Sequence, residues 1–404
     1  MFRTLRSVTR FGPITLSRTE RRLARAADVE DLRRLAKRRL PGGVFDYIDG
    51  AAEDELAIAA NAAAWRNVSF EPRVLRDVSS IDLSTTILGK PVPAPLALSP
   101  TGFTRIADPQ GELAVARAAA SRGLPYTLST LATRSIEEVA AVSTGPKWFQ
   151  VYVWRDRGLV KDMVQRAVAE GYEALMVTVD TAVFGRRERD VRRGFTLPPT
   201  IGLGTIVDGI RHPGWTWAFV RGGPITFANV SGDATRDGST AVTLSDFVNS
   251  QFDPTLSWRD LDWLRSLSDL PVFVKGVGSI ADVKVAASEG LPAVVLSNHG
   301  GRQLDRVPAT LDLLRGAVDA VGDDLEVLVD GGVRRGSDLI AARALGARAV
   351  MVGRPYLYGL GAAGERGVGH VLDQLIAGAE RTMSLLGAAT LDDLTPDLIH
   401  RLVP

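Results

Sequence analysis

The sequence predicts an α/β fold in which eight parallel strands and their helices close into a (β/α)8 (TIM) barrel, with an N-terminal helical segment before it and a long insertion after strand 4. Three observations predict it. Eight short, β-rich apolar runs recur from Pro95 onward. Segments with an apolar stripe at helical spacing separate them. Near-continuous apolar strands alternating with helices are the signature of a parallel sheet covered by helices. The open, doubly wound alternative predicts a glycine fingerprint after the first strand, and "SPTGFTRIADPQG" is no G-x-G-x-x-G.

Taken in order, residues 28–65 read as helical, with Asp28 able to cap "DVEDLRRLAKRRL" and Pro41 starting the stretch "PGGVFDYIDGAAEDELAIAANAAAW". The apolar runs are "PLALSP" (95–100), "PYTLST" (125–130), "WFQVYV" (148–153), "ALMVTVD" (174–180), "PVFVKG" (271–276), "AVVLSN" (293–298), "EVLVDGG" (326–332) and "AVMVGR" (349–354). Between them lie "GELAVARAAASRG", "SIEEVAAV", "LVKDMVQRAVAEG", "SIADVKVAASEG", "LDLLRGAVDAVG" and "SDLIAARALGA". The barrel is placed at about 93–385. Residues 181–270 are far more than one helix needs, and the insertion is placed at about 195–255. Rich in Gly, Pro and aromatics, with Trp215 and Trp217 near its middle, it reads as an irregular lid, packing or oligomer segment, or as an amphipathic membrane-surface segment over residues 195–230.

The chain has 404 residues, 45% of them hydrophobic, enough for a large core. The domain reading is a basic arm at 1–27 and a single domain at 28–404. A net charge of +1 gives no general pull toward nucleic acid. With no cysteine there is no disulfide, thiolate nucleophile or cysteine metal site, and no metal is expected. No apolar stretch approaches the roughly 20 residues of a spanning helix. The N-terminus lacks a secretory h-region, yet it is rich in Arg, Ser and Thr and poor in acid. It reads as a solvated basic arm or an organellar presequence. A cytoplasmic location is expected, with peripheral contact to the inner face of the cell membrane as its variant.

In a barrel the chemistry sits at the C-terminal strand ends. Those ends carry Pro100, Thr101 and Gly102; Ser129; Gln150 with Tyr152; Thr178 with Asp180; Lys275; Ser297 with His299; Asp330, Gly331 and Gly332; and Gly353 with Arg354. So complete a ring of polar ends suggests a polar cofactor at the mouth. "DGGVRRGSD" and "GRP" bring glycines, Val333, Arg334 and Arg354 to the loops after strands 7 and 8, where barrels often hold phosphate. Lys275 reads as a Schiff-base nucleophile, a fixed positive charge or a surface lysine. His299, one of four histidines, lies between a buried-type strand and Gly300 and Gly301, which allow close approach of a ligand, and is the best general-base candidate. Asp180 can orient its imidazole, although the two strands are not neighbours. Arg302 and Arg187 suit a carboxylate clamp, but composition does not separate Arg187 from Arg186.

Together "SNHGGRQLD", "DGGVRRG", "TVDTAVFGRRERDVRRGF", "FQVYVWRDR" and "VKGV" resemble the FMN-dependent L-2-hydroxy-acid dehydrogenases and oxidases over residues 28–385, with the nearest likeness to bacterial respiratory-type L-lactate dehydrogenases. The resemblance implies FMN, His299 as base and Asp180 as its partner. It implies Arg187, Arg302 and Tyr47 on the substrate carboxylate and Tyr152 on the substrate hydroxyl. Pro100, Thr101, Gly102, Ser129, Gln150, Thr178 and Ser297 would contact the flavin and ribityl chain, and Lys275 would sit at the flavin N1/O2 edge. Asp330, Gly331, Gly332, Val333, Arg334, Gly353 and Arg354 would hold the phosphate. Gly102 stands where many oxidases of the family carry Ala, which leans toward a dehydrogenase passing electrons to a quinone or cytochrome. The leader is too short for a fused haem domain, and relatives are commonly homotetramers. The expected activity is oxidation of a small L-2-hydroxy acid, L-lactate first, to the 2-oxo acid. The alternatives are an oxygen-using oxidase of glycolate, lactate or mandelate type, a non-catalytic phosphate-binding barrel, and an FMN barrel isomerase. Phe103, Thr104 and Leu131 are candidates for the pocket that takes the substrate side chain.

Overall fold

A computed structural model describes residues 17–194, 202–230 and 250–401. Eight parallel strands form a closed barrel in chain order: β1 Leu96–Leu98, β2 Tyr126–Ser129, β3 Lys147–Val151, β4 Ala174–Thr178, β5 Val272–Val277, β6 Ala293–Leu296, β7 Glu326–Val329 and β8 Ala349–Val352. Each falls on one of the eight apolar runs, because a strand buried on both faces needs an unbroken apolar sequence.

Side-chain alternation splits the buried residues into two layers. Ala97, Trp148, Met176, Phe273, Val295, Leu328 and Met351 fill the inside of the barrel, with Trp148 edge-on to Phe273 at 5.5 Å. The hairpin Thr85–Ile87 with Lys90–Val92 closes the bottom through Ile87 and Val92. Leu96, Leu98, Leu128, Phe149, Val177 and Val274 point outward into the helices. Carrying the inward parity one step further up each strand gives Ser99, Ser129, Gln150, Thr178, Lys275, Ser297, Asp330 and Gly353. Ser99 through Asp330 in this set are all buried.

The helical N-terminal stretch is interrupted. Asp28 caps Val29–Arg39 by accepting from the Asp31 amide at 2.7 Å, and Pro41 precedes Gly42–Asp49 as expected, but the chain then turns before Leu56–Arg66. The break turns the Gly50 carbonyl toward two arginines, where it accepts from Arg302 at 3.1 Å and from Arg354 at 2.7 Å. Asp305 then accepts from the Leu56 and Ala57 amides at the start of the third helix. Asp49 is buried and takes Arg33 at 2.5 and 2.8 Å, Arg189 at 3.0 Å and the Tyr358 hydroxyl at 2.8 Å. Residues 17–27 lie against the barrel: Leu23 and Ala26 are buried, and the Ala26 carbonyl faces His370 Nε2 at 2.9 Å.

The insertion is not irregular throughout. It contains two helices, Leu203–Arg211 and Pro213–Arg221, the second with proline in its first turn. The second helix is strapped to the β1 loop: Trp215 Nε1 donates to the Ile106 carbonyl at 2.7 Å, and Arg105 donates to the carbonyls of Gly222, Gly223 and Pro224. Residues 195–201 and 231–249 of the insertion, and 1–16 of the arm, lie outside the described residues. Among the described residues no helix is long and apolar enough to cross a membrane.

Burial raises the Asp49 carboxyl, but its hydrogen bonds from Arg33, Tyr358 and Arg189 outweigh it and bring the pKa to about 2. A folded pKa below the unfolded one means stability that is present above pH ~4 and lost as pH falls toward 2. Asp49→Asn should therefore cost about 2 kcal/mol at neutral pH. The gap between variant and wild type should close between pH ~4 and 2, read as denaturation midpoints across pH. A gap that does not change over that window would remove the carboxylate from the account.

Candidate active site

The strand ends surround a cavity of about 400 Å³ at the barrel mouth. Of the residues expected there, all line it except Thr104 and, directly behind the lining, Asp180 and Ser297. Ser297 accepts from Lys275 Nζ at 2.8 Å and from the His299 amide at 3.0 Å. Lys275 is buried and also pairs with Asp330 at 2.8 Å, so it is neither a surface lysine nor an unpaired amine available as a nucleophile. Ser99, which the strand-end reading missed, extends this polar row by donating to Asp330 at 3.4 Å. Its signal was present in the sequence: it follows Ala97 at the inward period of two.

His299 sits at φ 56°, at the start of a single turn whose two following glycines also have positive φ. Its Nδ1 lies 3.0 Å from Asp180 Oδ1 although strand β5 separates β4 from β6. The intervening strand makes room. It carries a bulge between Lys275 and Val277, and a Cβ at Gly276 would stand 2.6 Å from the Asp180 carboxyl carbon. Burial raises the Asp180 carboxyl, but the charge and hydrogen bond of His299, and then Lys275, bring it below its usual range, so it stays ionised.

Gln303 is the second residue the sequence reading missed. It is buried, donates to the carbonyls of Asp180 and Val183 at 2.9 Å each, and accepts from the Gly185 amide at 3.1 Å. It thereby fixes the loop after β4 to the loop after β6. Nothing in its position marks this, because the partners are backbone groups 118 to 123 residues away.

Opposite His299 the Tyr47 ring lies between two guanidinium groups, Arg302 at 5.1 Å and Arg187 at 5.7 Å. Arg187 is half-buried and held by Asp190 at 2.8 Å, whereas Arg186 is exposed, and both line the cavity. Arg302 donates to the Tyr47 carbonyl at 2.7 Å, and its pKa is lowered to about 9, by burial first and by Arg187 second. Tyr152 has its phenol pushed up, chiefly by burial. Phe103 and Leu131 line the cavity, joined by Phe184 and Phe227, but Thr104 does not: it is buried against Thr101 at 3.2 Å. A Cβ at Gly102 would meet Leu131 at 3.0 Å.

On the other side, Gly331 and Gly332 have φ of 93° and 88° and lie against Asn61 and Trp65, where a Cβ would collide. Arg354 donates to the carbonyls of Ile48, Gly300 and Gly50, and Arg334 to its neighbour Val333. Neither has a carboxylate partner among the described residues. Among the described residues, buried Gln150 Nε2 has no acceptor and Asp330 Oδ1 no donor. An unpaired buried amide donor in a cavity with a glycine–arginine end wants a ligand with ring acceptors and an anionic tail, and FMN fits these residues.

The family comparison agrees: the FMN-dependent dehydrogenase family matches residues 36–401, and the chain belongs to it, with FMN as its cofactor. It is 43% identical over 401 residues (99% of this chain, 95% of that protein) to a Mycobacterium tuberculosis protein named "Putative L-lactate dehydrogenase". It is 42% identical over 372 residues (91% of this chain, 96% of the other) to an L-lactate oxidase of Nostoc. Among solved structures it is similar to the monotopic membrane protein (S)-mandelate dehydrogenase, with TM-score 0.90 and 40% identity over 94% of this chain and 100% of that one. It is an FMN-dependent 2-hydroxy-acid oxidoreductase.

Gly276→Ala should push Asp180 away from His299 while leaving the phosphate end untouched. The expected result is roughly 10²-fold lower turnover at retained flavin content, since small displacements at a catalytic pair cost about that much. Measured kcat within threefold of wild type would show that the aspartate reaches the histidine by some other route.

Proposed function

We propose that the protein oxidises L-lactate to pyruvate with FMN and passes the electrons to a quinone or cytochrome. The observation that carries this reading is His299, in the cavity that Arg187 and Arg302 also line, backed at 3.0 Å by Asp180 behind the lining. In this reading the two arginines and Tyr47 bind the substrate carboxylate, guanidinium to carboxylate. Tyr152 orients the substrate hydroxyl. His299 takes a proton from the substrate, and ionised Asp180 stabilises the imidazolium that results. Bound FMN supplies the acceptor for the two electrons. Lys275, already positive and buried beside Asp330, is placed to stabilise negative charge as it develops at the mouth. Gln150, Thr178, Ser129, Ser297 and the segment Pro100–Gly102 hold the ring and ribityl chain. Asp330–Arg334, Gly353 and Arg354 hold the phosphate.

Lactate is favoured as the substrate by apolar Phe103, Leu131 and Phe227, which suit a small apolar side chain, and by the name of the relative matched over 99% of the chain. A membrane-side acceptor is favoured by the insertion helices, which expose Leu203, Ile206, Val207, Ile210, Trp217 and Val220. Residues 202–230 are the described part of this peripheral contact, and a homotetramer is the assembly we assign to the chain.

The deciding experiment is anaerobic reduction of the bound flavin across a panel of L-lactate, glycolate and (S)-mandelate, then reoxidation by oxygen, quinone or cytochrome c. L-lactate should bleach the flavin fastest, and quinone or cytochrome c should reoxidise it faster than oxygen. Faster bleaching by mandelate or glycolate overturns the substrate, and reoxidation chiefly by oxygen makes the enzyme an oxidase. His299→Gln should keep the flavin and lose at least about 10²-fold in turnover, while unchanged kcat would remove the base assignment.

A further inference from the structure

Away from the barrel mouth lies a second cavity, of about 600 Å³, between helices Arg18–Leu23 and Val29–Arg39 and the junction of the two insertion helices. Its walls carry five arginines, Arg18, Arg22, Arg38, Arg39 and Arg211, together with His212. Arg39 is committed to Asp108 at 3.0 Å and to the Leu360 and Gly361 carbonyls. His212 Nδ1 stands 2.8 Å from the Asp208 carbonyl and 3.2 Å from its carboxylate, which also takes the Gly42 amide. The side chains of the other four arginines, all solvent-exposed, have no ion-pair or hydrogen-bond partner among the described residues. Neighbouring arginines are paired: on the helix that carries Arg38, Arg33 and Arg34 pair with Asp49 and Asp31, and Arg366 pairs with Glu20 of the first helix. Four uncompensated guanidinium groups brought from three separate segments to one concave surface form a positive focus whose complement is a polyvalent anion. Planar, forked donors match the oxygens of phosphate and carboxylate alike, and four of them on one concave surface suit the more highly charged phosphate.

We infer that this cavity binds a phosphate-bearing anion through Arg18, Arg22, Arg38 and Arg211. Two sources share that chemistry, the headgroup of an anionic phospholipid and a soluble phosphate. The helix that ends in Arg211 exposes Leu203, Ile206, Val207 and Ile210, so the basic cavity and an apolar face are contiguous along one segment. Apolar face and basic pocket together suit a lipid, acyl chain beside headgroup. The lipid source rests on the membrane contact proposed above; the anion site itself does not.

The test uses the full chain loaded with FMN. One arm measures sedimentation with phosphatidylcholine vesicles with and without phosphatidylglycerol, and the other titrates inorganic phosphate calorimetrically. Two variants are compared, Arg38→Gln/Arg211→Gln and Ile206→Ser/Ile210→Ser. The arginine variant should keep its flavin and its turnover with a soluble acceptor. It should lose affinity for phosphatidylglycerol vesicles on the order of 25-fold, about fivefold for each arginine. Loss of phosphate binding in that variant with no change on vesicles supports the site with a soluble ligand. If the apolar variant alone loses vesicles and the arginine variant also keeps its phosphate binding, the membrane contact stands and the arginine site falls. If the arginine variant holds both vesicles and phosphate within twofold of wild type, the inference is overturned.

Discussion

Closure of eight parallel strands is the constraint on which the site depends. Because every strand runs the same way, every C-terminal end falls on one rim, and alternation admits one further inward layer above the apolar filling. That layer is Ser99, Ser129, Gln150, Thr178, Lys275, Ser297, Asp330 and Gly353. It contains one cation and one anion, and they pair at 2.8 Å. The floor of the cavity is thus internally compensated. The uncompensated charge stands on the loops above it, on Arg302, Arg334 and Arg354. On the proposed reading, a phosphate on one side and a separate substrate carboxylate on the other meet what the loops lack, while the uncharged ring would rest on a balanced floor.

The same closure creates a difficulty. Residues at the ends of β4 and β6 are separated by a strand, and an ordinary side chain on β5 would block the line between them. The bulge at Lys275/Val277 and the absent side chain at Gly276 remove the obstacle. Lys275, one residue earlier, still points inward to Asp330. Two neighbouring residues of one strand therefore do opposite work: one supplies a charge, and the other supplies space for a contact between its neighbours. Gln303 then fixes the β4 loop from the far side, so the aspartate is located by a gap, by backbone hydrogen bonds and by the histidine itself.

Much of this was legible in the sequence because it rests on local pattern. Unbroken apolar runs mark strands buried on both faces, and glycine pairs mark positive φ near a ligand. Asp28 marks a cap. Ser99 was legible in principle, by counting two from Ala97, but the run "PLALSP" draws the eye to its terminal proline. Gly276 stood in the quoted "VKGV", yet its role depends on a side chain 96 positions earlier. Arg187 and Arg186 look alike in the sequence, because what distinguishes them, the contacts of Arg187 with Tyr47 and Asp190, is brought together by tertiary packing. The break after Asp49 defeats a helical reading because the turn is held by Arg302 and Arg354, from the far end of the chain. The two insertion helices escaped because their apolar residues face outward, and the periodicity that identifies core helices was buried among Gly and Pro.

The rim arginines also bear on selectivity among alcohols. A guanidinium is not deprotonated near neutral pH, so the depressed Arg302 pKa of about 9 measures a cost the folded chain carries rather than a change of charge. Burial and the proximity of Arg187 impose that cost, and a bound carboxylate relieves both causes at once. A simple alcohol relieves neither, and leaves the buried Arg302 guanidinium beside Arg187 with no added counter-charge. Sites built around polar groups reject ligands that leave those groups unpaired far more strongly than apolar pockets reject a misfit of one methylene. On the proposed reading, selection for a 2-hydroxy acid as a class therefore comes from Arg187 and Arg302. Selection among such acids falls to Phe103, Leu131 and Phe227, which exert only the weaker, apolar kind of discrimination.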